Sequence, residues 1–239
     1  MALHGDLPRQ GVGADWCTRE AIRRLPPLRK PPAILDLGCG PGRQSIVLAQ
    51  HFQNPIQAVD LNPVFLDQMM QSADAAGVAA LIQPRQEDFR NLPEAEASQD
   101  LIWCEGAARV MGLSESFAQW GKLLRPRGVL AVSDMVWMTA RPSPEAEAFW
   151  DKIYPSMTDL EGAQTKARKA GLKLFDHFFL PRTAWWDEYY APLQRRIAQL
   201  KPQADGELAE LLSQAENEIA LFQRWGSCYG YIFMLLRPA

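Results

Sequence analysis

Ala33-Ile34-Leu35-Asp36-Leu37-Gly38-Cys39-Gly40-Pro41-Gly42 is the stretch that decides how this 239-residue chain is read. A short apolar run carries one acid, Asp36, and then breaks into three alternating glycines; a helical pattern follows from Arg43 to His51. A strand–glycine–helix junction brings bare backbone and a helix N-terminus close to a ligand, because glycine has no Cβ to hold the ligand away. The place of the acid narrows the ligand. In a nicotinamide-type fingerprint the glycines follow a strand of purely apolar residues. Here Asp36 stands two residues before the first glycine, a poor neighbour for a pyrophosphate and a good one for a cation.

Outward from this junction, strand and helix signals alternate. Asp15 reads as the cap of a short helix through Leu25, which Pro26 and Pro27 end, and residues 1–13 read as a mobile arm. Ala33–Leu37, Ile56–Asp60, Leu81–Gln83, Asp100–Cys104 and Gly128–Asp134 read as strands. Helical patterns lie at Arg43–His51, at Pro63–Ala76 behind Asn62, and at Ser114–Leu124 with Glu115 and Lys122 at its favourable ends. Strands separated by helices of this length imply right-handed crossovers and a mostly parallel sheet covered on both faces. After Asp134 the pattern loosens through Met135–Met157. A helix at Asp159–Ala170 follows, then strand-like Leu172–Leu180 and Cys228–Leu236. Between these last two, Pro181–Gly226 begins with the aromatic cluster Trp185-Trp186-Asp187-Glu188-Tyr189-Tyr190. It continues with Leu208, Leu211, Leu212, Ala215, Ile219 and Phe222 at helical spacing.

With 47% hydrophobic residues the chain can bury a substantial core as one domain spanning 1–239. Its net charge of −3 argues against a long nucleic-acid footprint, which needs a concentrated basic face. The basic cluster Arg23, Arg24, Arg29 and Lys30 is interrupted by Leu25–Leu28 and reads as a solvated helix end and linker. Cys17, Cys39, Cys104 and Cys228 form no Cys-x-x-Cys pair, and three histidines are few, so no metal site is expected. Met1–Gln10 lacks the apolar stretch of a signal peptide and no run approaches a membrane span; the expected location is the cytoplasm.

S-adenosylmethionine carries an ammonium and a sulfonium, the cationic character that Asp36 favours. Asp36-Leu37-Gly38-Cys39-Gly40-Pro41-Gly42 resembles the first motif of class I S-adenosylmethionine-dependent methyltransferases. Ala58-Val59-Asp60 resembles the second-strand end, whose acid takes the ribose hydroxyls, and Gln86-Glu87-Asp88-Phe89 the third, whose acid meets the adenine amino group. Asp100–Glu105 is similar to the fourth strand, and Leu123–Leu130 to the turn into the fifth, with Arg127 in place of a glycine. The motifs span 33–134 and are specific as a set. Trp185–Leu193 also resembles a segment in uncharacterised bacterial small-molecule methyltransferases of the menaquinone/ubiquinone-type branch. The resemblance implies a Rossmann-like α/β three-layer sandwich with a seven-stranded, mostly parallel sheet whose last strand is antiparallel. Its cofactor would be S-adenosyl-L-methionine, with S-adenosyl-L-homocysteine as product. The helix and arm at 1–30 and the segments 135–157 and 181–226 would cover the substrate.

That resemblance assigns Asp36, Gly38, Cys39, Gly40, Asp60, Leu61, Asp88, Phe89 and Glu105 to the cofactor. Asp36 would lie near the methionine ammonium, directly or through water, and Leu61 against the adenine face. Each residue also has a plainer reading: a turn-capping acid at Asp36, a helix cap at Asp60, a polar loop at Glu87–Asp88, core at Phe89, a helix-dipole acid at Glu105. Gly42 reads as a close-packing position. Trp137, Trp185, Trp186, Tyr189 and Tyr190 are candidate walls of a substrate pocket, part of them plain core. Methyl transfer needs a proton acceptor only for a hydroxyl or protonated amine, and Glu105, His177 and Tyr190 are the candidates in that order; His177 reads equally as a strand histidine. The fourth-strand end, Cys-Glu-Gly-Ala, differs from the Asn/Asp-Pro-Pro-aromatic motif of enzymes that methylate nucleic-acid bases. A small-molecule acceptor is therefore expected, with neither DNA nor membrane as partner and a monomer or homodimer as the assembly. The rival readings are a nicotinamide oxidoreductase, a non-catalytic cofactor-binding module, and a methyltransferase acting on tRNA or protein.

Overall fold

Four consecutive residues of β1, Ile34–Leu37, are buried, as a strand covered on both sides must be. The computed structural model describes Leu3, Leu7 and residues 9–239. β1 pairs in parallel with β2 (Ile56–Asp60) on one side and with β4 (Gln99–Glu105) on the other, and β3 (Ile82–Gln86) lies beyond β2. β4 pairs in parallel with β5 (Leu124–Trp137), which pairs antiparallel with β8 (Tyr229–Pro238); β8 then pairs antiparallel with β7 (Leu172–Phe179). The order is β3-β2-β1-β4-β5-β8-β7, and the two-residue β6 (Thr158–Asp159) adds an eighth strand against the end of β5. The expected architecture is therefore present, with the last strand of the chain antiparallel and one short strand more than the seven expected.

Alternation along the strands divides the core. Ile34, Leu101, Trp103 and Phe233 face one side, which α1 (Asp15–Arg23), α2 (Arg43–Phe52), α3 (Pro63–Ala75) and the C-terminal helices cover. Leu35, Leu37, Ile102 and Met234 face the other, covered by α4 (Leu113–Leu123) and α6 (Leu160–Lys169). The loosely patterned 135–157 holds α5 (Pro144–Ile153). Pro181–Gly226 is helical nearly throughout: α7 (Arg182–Trp185), a π-helical turn at Trp186–Tyr190, α8 (Ala191–Leu200) and α9 (Gly206–Trp225).

Three local expectations change. Ala14, not Asp15, is the N-cap of α1; the Asp15 carboxylate instead accepts from Arg9 and Arg43. The described part of the arm is packed, with Leu3, Leu7, Arg9 and Val12 all buried; Met1, Ala2, His4–Asp6 and Pro8 lie outside the described residues. Arg24 is no solvated helix end. It bonds Glu20 and Asp176 and lies over the Phe178 ring at 4.6 Å.

Candidate functional site

The strand order places the site. From β1 the chain winds outward through β2 and β3, whereas β4 and β5 lie on the opposite side, so β1 and β4 flank the point where the winding reverses. Loops leaving the carboxyl ends of two such strands diverge and open a crevice. Here they are residues 38–42 after β1 and 106–110 after β4. They touch at Gly38, which has a left-handed φ of +67°, and a Cβ there would collide with that of Ala107. A cavity of about 430 Å³ opens at this edge.

One half of its wall is the glycine loop and the ends of β2 and β3: Gly38, Cys39, Gly40, Asp60, Leu61, Asp88 and Phe89. The backbone N–H groups of the loop already have acceptors. Gly38 and Cys39 donate to the Val59 carbonyl at 2.9 and 3.0 Å, Gly40 to Asp60 Oδ2 at 2.8 Å, and Gly42 to the Cys39 carbonyl at 3.0 Å. The loop therefore offers shape rather than the row of open N–H donors that a pyrophosphate seeks. Asp60 Oδ1 also accepts from Asn62 N at 2.9 Å, so both carboxylate oxygens are fixed while each retains capacity to accept a further bond at the cavity Asp60 lines. Gly42 packs on Met69, as a helix start lying close to its neighbour requires. Asp88 is bound by Arg90 through its backbone N–H and Nε, both at 2.9 Å, and these bonds lower its carboxyl below the usual range.

Asp36 does not reach the wall. Its fully buried carboxyl accepts from Ser45 Oγ at 2.5 Å and Gln44 Nε2 at 3.4 Å, and burial pushes it up to about 7. Gln44, which also donates to the Cys39 carbonyl, is the residue that faces the cavity. Asp36 thus supports the loop from behind. Burial likewise holds the Cys39 and Cys104 thiols well above their usual range, in the protonated form.

Glu105 lines the cavity floor, held on every side. Pleat alternation puts Trp103 on its face, and Trp103 Nε1 donates to Oε1 at 2.9 Å. Thr18 Oγ1 of α1 donates to the same oxygen at 2.7 Å, and Arg9 Nη1 of the arm donates to Oε2 at 3.0 Å. Three donors from three separate segments hold this side chain in place.

Across the cavity stand Arg109, Met135, Trp150, Ile153, Trp185, Tyr189, Glu218 and Tyr231. Trp185 and Tyr189 were expected there; Trp137, Trp186 and Tyr190 are not brought into the wall. Trp137 lies at the end of β5 against Tyr229, with ring centroids 6.3 Å apart, and Trp186 packs edge-on to Tyr190 at 6.3 Å. Tyr190 is fully buried and donates its hydroxyl to Glu218 Oε1 at 2.7 Å. His177 is likewise absent from the wall, on the edge strand β7, opposite Met234 and beside Phe179.

Sequence reasoning passed over Glu218 and Arg109. Glu218 falls within the apolar stripe of α9, three residues after Ala215 and four before Phe222, and an acid on a buried helical face was the available signal. Burial raises its carboxyl above the usual range. Arg109 follows Glu105 by four residues, within the same loop at the sheet edge. Asp134, also overlooked, is fully buried and accepts from Tyr154 and from Met135 N; burial lifts it to about 6. Among the described residues no three His, Cys, Asp or Glu side chains gather as a metal site. No helix among them is long and apolar enough to cross a membrane.

Residues 34–128 match the methyltransferase domain family. The chain has the class I methyltransferase fold. A methyltransferase from Thiobacillus denitrificans, solved with S-adenosyl-L-homocysteine, superposes over 100% of this chain and 97% of its own with a TM-score of 0.82 at 21% identity. A dimethylglycine N-methyltransferase of Parasynechococcus marenigrum is 30% identical over 109 residues, 45% of this chain and 39% of that protein. The 27-O-demethylrifamycin SV methyltransferase of Amycolatopsis mediterranei is 26% identical over 178 residues, 71% and 65% of the two chains. The matches thus span less than two thirds of these curated relatives. Within the methyltransferase fold, the matched family region carries the glycine loop, Asp60, Asp88 and Glu105, and it ends before Trp150, Trp185, Glu218 and Tyr231.

Proposed function

We propose that this protein transfers the methyl group of S-adenosyl-L-methionine to a small-molecule acceptor. The observation that carries the reading is the single cavity whose two halves differ in kind. One is a glycine cradle with two fixed acids, and the other is an aromatic chamber continuous with it. Relatives named for dimethylglycine and for a rifamycin support a small acceptor.

The residues present suit the cofactor. Gly38 and Gly40 leave room at the cradle, Asp60 presents oxygens for the ribose hydroxyls, Leu61 and Phe89 offer apolar faces to the adenine, and Asp88 an acceptor for its amino group. When bound, the cofactor supplies an electrophilic methyl group on a sulfonium. The protein has to align the acceptor with that carbon and exclude water. The lid role falls to the arm around Arg9–Val12, to α5 and to Trp185–Tyr189, all of which contribute to the wall.

In this reading Glu105 positions the arm and α1 through its bonds to Arg9 and Thr18, while His177 and Tyr190 do not meet the acceptor. Where the acceptor must lose a proton, Glu218 is the group to take it: it faces the cavity, and burial raises its proton affinity. Tyr190 holds Glu218 in place. Assignment to the menaquinone/ubiquinone-type branch, a cytoplasmic location and a monomeric or homodimeric state belong to the same proposal.

Calorimetry with S-adenosyl-L-homocysteine and with NADH tests it, followed by methyl transfer from labelled cofactor to a metabolite extract. Binding of S-adenosyl-L-homocysteine with a labelled product is the expected result. Binding of NADH alone would overturn the reading, and tight cofactor binding with no labelled product from any extract would reduce the protein to a binding module.

A further inference from the structure

Four arginines line the cavity, and three already have an anion. Arg9 pairs with Glu105 at 3.0 Å and Asp15 at 3.1 Å, Arg43 with Asp15 at 2.7 Å, and Arg90 with Asp88 at 2.6 Å. Arg109 differs. Tyr231, Asp134, Glu218 and Tyr189 favour the charged form of its exposed guanidinium, yet no carboxylate among the described residues forms an ion pair or hydrogen bond with it. The two nearby acids are held elsewhere, Asp134 by Tyr154 and Met135 N, Glu218 by Tyr190.

Beside this cation the wall turns apolar, through Trp150, Ile153, Trp185 and Tyr231. Trp185 is set rigidly, with its ring centroid 4.5 Å from Phe222 and 5.2 Å from Tyr231. A planar fork of donors next to aromatic faces matches a ligand with a compact anion at one end and an apolar body at the other.

We infer that the methyl acceptor is an apolar carboxylic acid, or a ligand with an equally compact anion, whose anionic group Arg109 binds while its body lies against Trp150, Trp185 and Tyr231. This rests on the cavity's being a donor–acceptor site. The other source of the same chemistry is the α-carboxylate of the cofactor itself, and the experiment separates the two.

Wild-type protein saturated with S-adenosyl-L-homocysteine is titrated with benzoate and with its neutral isostere benzamide, and Arg109→Met and Arg109→Lys are treated in the same way. A charge-assisted bond of about 1.4 kcal/mol or more makes benzoate at least about tenfold tighter in the wild type. Arg109→Met is expected to abolish that preference and Arg109→Lys to retain part of it, with affinity for S-adenosyl-L-homocysteine unchanged in both. Equal binding of the two probes to wild type, or binding of neither, overturns the inference. So does a loss of about tenfold or more in S-adenosyl-L-homocysteine affinity in Arg109→Met, which would assign Arg109 to the cofactor. If S-adenosyl-L-homocysteine fails to bind the wild type, the proposed function falls instead, and the benzoate–benzamide comparison on the unliganded protein still reads Arg109.

Discussion

The two halves of the cavity are made in different ways. On the glycine-loop side, the residues that shape the wall are tied to partners in the same or the adjacent βα unit: Gly40 to Asp60, Asp60 to Asn62, Asp88 to Arg90. On the aromatic side, Arg109, Trp150, Trp185, Glu218 and Tyr231 come from five separate segments and meet only through long-range packing. Local hydrogen bonding makes the first half a property of a short stretch of chain. The second exists only when the sheet, α5 and α9 have all docked. Substitutions on the two sides should therefore fail differently, stability first on the aromatic side and ligand affinity first on the other.

The largest effect is expected at Trp185, which packs on Tyr190, Phe222, Tyr229 and Tyr231 and is only 4% exposed. Trp185→Ala is expected to cost about 3–5 kcal/mol in urea denaturation; a loss confined to acceptor binding would show that the aromatic side is not built by packing. Gly38→Ala combines a left-handed backbone with a collision at Ala107, and a destabilisation of about 2–4 kcal/mol follows. Wild-type stability in that variant would mean that the two loops give way easily, and the contrast between the halves would weaken.

Asp60→Ala sharpens the comparison from the ligand side. It removes charge-assisted bonds worth about 1.5–3 kcal/mol, so S-adenosyl-L-homocysteine affinity is expected to drop about 10–100-fold by calorimetry. Unchanged affinity would return Asp60 to a mere loop cap. Asp36 supplies a pH signature. Its folded carboxyl, at about 7, lies above the unfolded value of 3.8, so the folded chain binds the proton more tightly. That contribution is fully present below about pH 4 and is lost as pH rises toward 7, with a slope of at most about 1.4 kcal/mol per pH unit. Asp134 adds the same sign up to about pH 6. Asp36→Asn should flatten the decline in thermal-unfolding profiles taken across that range, and a parallel profile would show that Asp36 carries no share of it. The smallest effect is expected at His177. His177→Ala on the edge strand should alter stability by no more than about 0.5 kcal/mol and leave methyl transfer intact; a tenfold fall in turnover would bring this residue back as a base.

Much of the fold was legible because strand and helix periods are local signals. Where the reading was short, a neighbour was responsible. β3 runs to Gln86 through Pro84, which an edge strand tolerates, and β5 extends beyond Gly128–Asp134 at both ends because β4, β8 and β6 supply partners. The motif reading sets Asp36 near the methionine ammonium, directly or through water; the structure buries it behind Gln44, because a motif gives the position of an acid in the chain and not which side chain stands in front of it. Tyr190 and His177 were chosen for their chemistry alone. Packing sent one beneath Glu218 and the other to the sheet's far edge.

By itself the sequence determined the parallel sheet, the glycine junction at 38–42 and the acids at 60 and 88, because each depends on residues a few positions apart in extended or helical chain. Only the tertiary structure decided that Arg109 would share a cavity with Tyr231 and Glu218, that Glu105 would be fastened by Arg9, Thr18 and Trp103, and that Trp185 and Tyr190 of the aromatic cluster would be buried. The physical reason is distance along the chain. A hydrogen bond across a turn is specified by local dihedrals, whereas a contact between residues separated by about a hundred positions is specified by the packing of everything between them.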